Sequence, residues 1–246
     1  MAVRFHLARR AKASRRPHLV PEDADWIGSG RRSFFEYSVG SLVPVVFERY
    51  ARILHPALGA ADEPVRWDVV AAWSGRTIHA LAQWDPLSRP LGEAGGSCPF
   101  VRPPVTGGIP PRQLAALCGV LAAQTSTPER CFIGVWEGYG WPEVADSPPV
   151  SELRLDQRTF LVYRESIATA ARICWPDPGI LPPEPVALIW PADRAWFVAG
   201  DVDLDSSYLG GRESLIAALL AEPELEVWPV EAADRVTFDS DSTNGT

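Results

Sequence analysis

Side chains able to do acid–base or nucleophilic chemistry are sparse in this chain of 246 residues. Its four histidines are His6, His18, His55 and His79. A serine nucleophile needs an imidazole or an equivalent base beside it, so a triad in the body of the chain would have to use His55 or His79. His55 directly precedes Pro56 at the end of a helical pattern, where the helix dipole favours its charged form. That placement accounts for it without catalysis. Cys98, Cys118, Cys131 and Cys174 make no CxxC pair and stand at no ligand spacing from a histidine, so the sequence calls for no metal and no cofactor. The phosphate-loop, dinucleotide-binding, nucleophile-elbow and HExxH signatures are all missing.

Two clusters are more specific. Asp201, Asp203 and Asp205 alternate with Val202 and Leu204. On a strand this spacing sets three carboxylates on one face, about 7 Å apart in succession, with Val202 and Leu204 turned to the core. Such a row either faces solvent or holds a cation or a basic ligand. It departs from the calcium-loop pattern at Ser206, where the turn glycine should stand, and at Arg212, which takes the place of the bidentate acid. The second cluster is aromatic. Trp136, Glu137, Tyr139 and Trp141 gather three rings and a carboxylate around two glycines, and Trp190 and Trp196 flank Asp193 and Arg194. Rings exposed beside carboxylates grip peptides, sugars and cations. Tyr208 belongs to the segment SSYLGG at 206–211, expected to be a loop between a strand and a helix.

The formal charge of −8 is unevenly spread. Residues 1–16 hold six basic side chains and no acid, while the remainder has 17 basic against 31 acidic side chains, or −14. A basic arm of this kind is a solvated tail or a tether to an anionic surface. The acidic body would repel nucleic-acid phosphates. Arg supplies all the positive charge except Lys12, and Asn244 is the only Asn, a pairing that reflects GC-rich coding rather than selection for anion binding. Mean hydropathy is −0.04, and no apolar run nears the roughly 18 residues of a membrane helix. Without a secretory signal pattern, the expectation is a soluble, cytoplasmic protein with reduced thiols.

These groups must be positioned by a core, which a chain of this length can form without disulfide or metal. Apolar spacing predicts helices over 41–54, from about 64 to 73, over 112–123 and over 212–221. Strands are expected over 131–136, 159–163, 186–190, 195–204 and 226–230, the third and fourth joined as a hairpin. The Gly- and Pro-rich segment 88–111 is expected to be irregular. The pattern predicts an α+β fold with helices mainly in the N-terminal half and a mixed or antiparallel sheet of about five strands mainly in the C-terminal half. Residues 1–20 are expected to form a flexible arm, 21–238 one domain, and 239–246 a disordered polar tail.

No characterised family is recognisable. The reading that follows is a non-catalytic binding or interaction protein of the inhibitor or immunity type. It would use the 136–141 segment and the acidic strand end 201–205 against a basic protein or peptide. The alternative is a metal-assisted hydrolase in which Asp201, Asp203 and Asp205 hold a divalent cation.

Overall fold

The computed structural model describes residues 21–93, 95–139, 151–170 and 186–245. The basic arm and Trp141 lie outside the described residues. The core is a sheet of eight antiparallel strands flanked by helices. The strands are β1 (Arg49–Leu54), β4 (Cys131–Trp136), β5 (Ser151–Leu155), β6 (Arg158–Glu165), β7 (Val186–Pro191), β8 (Phe197–Ala199), β9 (Ser206–Gly211) and β10 (Glu226–Val230), in the order β10-β1-β9-β8-β7-β4-β6-β5. A separate ribbon pairs β2 (Ala57–Leu58) with β3 (Pro64–Val65).

The helices are α1 (Pro21–Gly30), α2 (Val39–Leu42), α3 (Trp67–Ser74), α4 (Trp84–Leu87), α5 (Pro111–Ala122) and α6 (Glu213–Leu220). Leu114, Leu117 and Leu121 of α5 and Leu215, Ile216 and Leu219 of α6 cover one face of the sheet, against Ile53, Ile133, Ile189 and Leu209. Ala24 and Ile27 of α1 and Val39 of α2 cover the other, against Tyr50, Phe132, Phe160, Trp190 and Phe197. A sheet covered on both faces buries consecutive residues, so β1, β4, β7, β8 and β9 lose the alternation expected of a half-exposed sheet, which the edge strand β5 keeps.

The α+β class holds, with an antiparallel sheet, but the sheet has eight strands rather than five and helices occur in both halves. Three expectations for single elements fail. The helix predicted over 41–54 is a single turn, α2, followed by β1, whose residues from Tyr50 to Leu54 are all buried. Segment 195–204 is strand only at Phe197–Ala199. The expected loop 206–211 is β9, buried along its whole length. Its glycines are demanded by neighbours on opposite sides: a Cβ on Gly210 would lie 2.4 Å from the Phe47 ring, and one on Gly211 would lie 2.6 Å from Leu215.

The polar tail is also more than a tail. Asp241 and Asn244 are buried. Asp241 accepts hydrogen bonds from the Gln83 and Asn244 backbone N–H groups, the Asn244 amide and His79 Nε2–H. Burial alone would raise its pKa, but these donors outweigh burial and hold the carboxyl at about 2. The segment expected to be disordered is thus docked on residues 77–83.

Helix α3 shows how the sheet completes a helix. Arg66 at its N-cap makes no side-chain cap bond. The Trp67 and Asp68 N–H groups instead donate to the Glu226 carboxylate of β10, at 2.7 and 3.0 Å. Burial pushes this carboxyl up, while those N–H groups favour its charged form. Glu226→Ala strands one buried and one half-buried donor and is expected to cost about 2 kcal/mol, read as a lower urea midpoint; an unchanged midpoint would show that water replaces the carboxylate.

Candidate functional site

Residues 200–205 link β8 to β9, and they form a turn where a strand was expected. The Leu204 N–H donates to the Asp201 carbonyl at 3.0 Å, and the Asp203 N–H donates to the Asp201 carboxylate at 3.1 Å. Such local carboxylate–backbone bonding competes with strand pairing. The turn is anchored from outside by the Gly107 N–H on the Leu204 carbonyl and the His55 N–H on the Asp205 carbonyl, both at 3.0 Å.

The three carboxylates therefore do not share a face. Arg158 of β6 reaches Asp201 at 3.0 Å and Asp203 at 3.3 Å, with its guanidinium 5.4 Å from the centre of the Trp136 ring. Asp205 turns instead to the buried Arg52, 3.6 Å away, and burial raises its carboxyl pKa although Arg52 opposes the rise. Among the described residues no three of His, Cys, Asp and Glu converge as metal ligands. The face on which the hydrolase alternative depended does not form.

The turn is a ridge between two openings. On one side lies a cavity of about 430 Å³ lined by Arg31, Trp136, Phe160, Asp201 and Asp203 among others. On the other lies a groove of about 500 Å³ lined by five aspartates (Asp85, Asp203, Asp205, Asp239 and Asp241) and two arginines (Arg76 and Arg89), with Trp84 and Phe238. Asp203 lines both openings, with its side chain 81% exposed. Phe238 is 88% exposed.

The other expected site residues scatter. Trp136 lines the cavity, Glu137 is exposed in the 3-10 turn that follows, and Tyr139 ends that turn. Trp190 and Trp196 are fully buried, Trp190 stacking on Phe132 at 5.3 Å, so they do not form an exposed grip. Asp193 and Arg194 sit in the β7–β8 connection, at the opposite strand end from the 201–205 turn. Asp193 pins the 125–127 turn: burial would raise its pKa, but hydrogen bonds from Ser126, Thr125 and Ala195 prevail and lower it. Arg194 lies over the Trp26 ring at 5.7 Å. Tyr208 is core, 2% exposed, and burial raises its pKa. Arg31, Arg158, Phe238 and Arg52 were missed. Only Arg52 had a local signal, since it alternates with Ala51 and Ile53 in a run that fits a strand.

One buried pair resembles a nucleophile and its base. His55 Nδ1 lies 2.8 Å from the Val105 carbonyl and must donate to it, so Nε2 accepts from the Ser207 hydroxyl at 3.0 Å. His55 is 0% and Ser207 1% exposed, and neither lines the two openings. The pair is a structural link between β1, β9 and the 105–107 loop. Burial, reinforced by the Arg52 charge and only partly offset by the Val105 bond, lowers the His55 pKa to about 4. The imidazole expected to be charged at a helix end is a neutral core group.

No family model matches the chain, and no solved structure matches it. The chaperone protein ClpB2, chloroplastic, of Oryza sativa subsp. japonica is 31% identical over 104 residues, covering 40% of this chain and 10% of that protein. The chain spans about a tenth of that chaperone's length.

The His55 pKa generates a pH prediction. The unfolded chain binds the His55 proton at about 6.5 and the folded protein only at about 4. This contribution to stability is therefore complete above pH 6.5, falls as pH drops from 6.5 to 4, and changes no further below. The loss over that window is about 3 kcal/mol for wild type. In His55→Gln the urea midpoint should vary less between pH 7 and pH 4.5, and equal slopes for the two proteins would contradict the neutral, buried assignment.

Proposed function

We propose that the protein is a non-catalytic binding protein that engages a basic protein or peptide segment through the groove beside the 201–205 turn. The observation that carries this reading is the pairing of a groove lined by five aspartates and two arginines with a phenylalanine 88% exposed at its edge. An exposed ring costs the free protein apolar contact with water, and an interface recovers it. Asp203, 81% exposed, pairs with Arg158 and Asp85, 80% exposed, pairs with Arg89, yet the five aspartates of the groove outnumber its two arginines, and that excess steers a cationic partner toward the ring. Aromatic anchors then supply most of the binding energy. An inhibitor- or immunity-type role fits this surface. The surface differs from the one expected from sequence, which joined the 136–141 segment to the 201–205 run: Asp203 and Asp205 line the groove, but its aromatic groups are Trp84 and Phe238, and Trp136 lines the other opening.

The test is calorimetry with a synthetic peptide of Arg, Leu and Gly, using a control with Glu in place of Arg. The basic peptide should bind, several-fold more weakly as ionic strength rises from about 0.05 to 0.2 M. Phe238→Ser and Asp203→Asn should each weaken it by about tenfold or more, while both variants melt within about 2 °C of wild type because the two side chains are exposed. Equal binding of the acidic control, or none by the basic peptide, would defeat the reading.

A further inference from the structure

The cavity on the other side of the ridge plays no part in that reading, and it has a chemistry of its own. Its floor is apolar, with Leu155, Phe160, Leu188 and Ala199. Arg31 lines it with a side chain only 10% exposed. One end of this guanidinium is held by Asp156 at the β5–β6 turn. Its Nε–H is buried and has no hydrogen-bond partner among the described residues. A buried donor without an acceptor is unfavourable, and any occupant that brings an acceptor recovers that loss.

Charge decides which acceptor. The cavity walls carry two guanidiniums, of Arg31 and Arg158, and three carboxylates, of Asp156, Asp201 and Asp203. The excess is one negative charge, so a carboxylate or phosphate would meet Arg31 at the cost of repulsion from the three aspartates. A carbonyl oxygen accepts the same hydrogen bond and brings no charge. The rings of Phe160 and Trp136 and the side chain of Leu188 favour a flat apolar body. A volume near 430 Å³ is within the range of small-ligand sites.

We propose that this cavity binds a neutral, planar apolar group bearing a carbonyl-type acceptor, with that oxygen on Arg31 Nε and the flat body over Phe160 and Leu188. An aromatic amide has this chemistry. It occurs both in free small molecules and in an aromatic residue within a peptide, and the experiment separates these sources.

Benzamide stands for the free molecule and N-acetylphenylalaninamide for the peptide residue, with N-acetylphenylalanine as the anionic control; binding is read by saturation-transfer NMR and calorimetry. At least one amide should bind with a Kd of about 1 mM or below, as expected for so few atoms, and the anion at least about tenfold more weakly. The tighter amide identifies the source. Arg31→Met removes the donor, and Leu42→Trp, on the cavity wall at the end of α2, is designed to fill the cavity without removing any of its charged groups. Each should weaken binding by about tenfold or more in protein shown to be folded by circular dichroism. Should Arg31→Met fail to fold, Leu42→Trp decides alone. Phe238→Ser, which disables the acidic groove, should leave amide binding unchanged, so the two sites fail separately. Binding by neither amide, tighter binding by the anion, or retained binding in a folded variant overturns the proposal.

Discussion

A guanidinium buried on the second strand of the sheet persists only where opposite charge and hydrogen-bond acceptors offset its loss of water, because an unmatched charge in the interior costs several kcal/mol. Arg52, 1% exposed, meets that demand with groups distant in sequence. Its Nε donates to the Ser206 hydroxyl at 2.9 Å, and one terminal nitrogen donates to the carbonyls of Ala80 and Ala82 at 3.1 and 2.6 Å. The other lies 3.6 Å from Asp205, and the plane sits over Trp67 at 5.4 Å. Strand β1, strand β9, the 80–82 segment and helix α3 are thereby held to one another. His55, two strand positions from Ile53, adds a second set of links from the other side of the same strand.

The geometry of the ridge follows from this constraint. Because Arg52 draws Asp205 inward, the acidic run cannot remain one row; Arg158 gathers Asp201 and Asp203 on the opposite side. The chain between them closes into a turn whose two flanks become the apolar cavity and the acidic groove. The docked tail completes the groove, since Phe238, Asp239 and Asp241 form one wall of it. Asp241 is held there by His79 and Gln83. The two openings and the core are therefore coupled through arginines rather than through a shared motif.

Helices α5 and α6 were legible because each has one apolar stripe and one wet face, which yields a 3.6-residue period. Strands β4, β6, β7 and β10 were legible as β-branched and aromatic runs bounded by turn residues. Segment 41–54 was misread because β1 is buried on both faces. Its apolar residues fall at helical and strand spacing alike, and periodicity cannot choose between them. Segment 206–211 was misread because its glycines signal a loop in isolation, whereas here they make room for Phe47 and Leu215, which arrive from elsewhere in the chain. The aspartate run was identified as chemically distinctive, but its conformation depends on Arg158 and Arg52, 43 and 153 positions away from their nearest partners in the run.

By itself the sequence determined the class of fold, the amphipathic helices α5 and α6, four of the sheet's eight strands and the acidity of the body, because each is a local pattern of side-chain type or composition. Tertiary structure alone decided which charges are buried, which tryptophans are core, and that Asp201, Asp203 and Asp205 divide between two arginines. Burial and ion pairing depend on what packs against a residue from distant segments, and a sheet covered on both faces erases the local contrast that would reveal it.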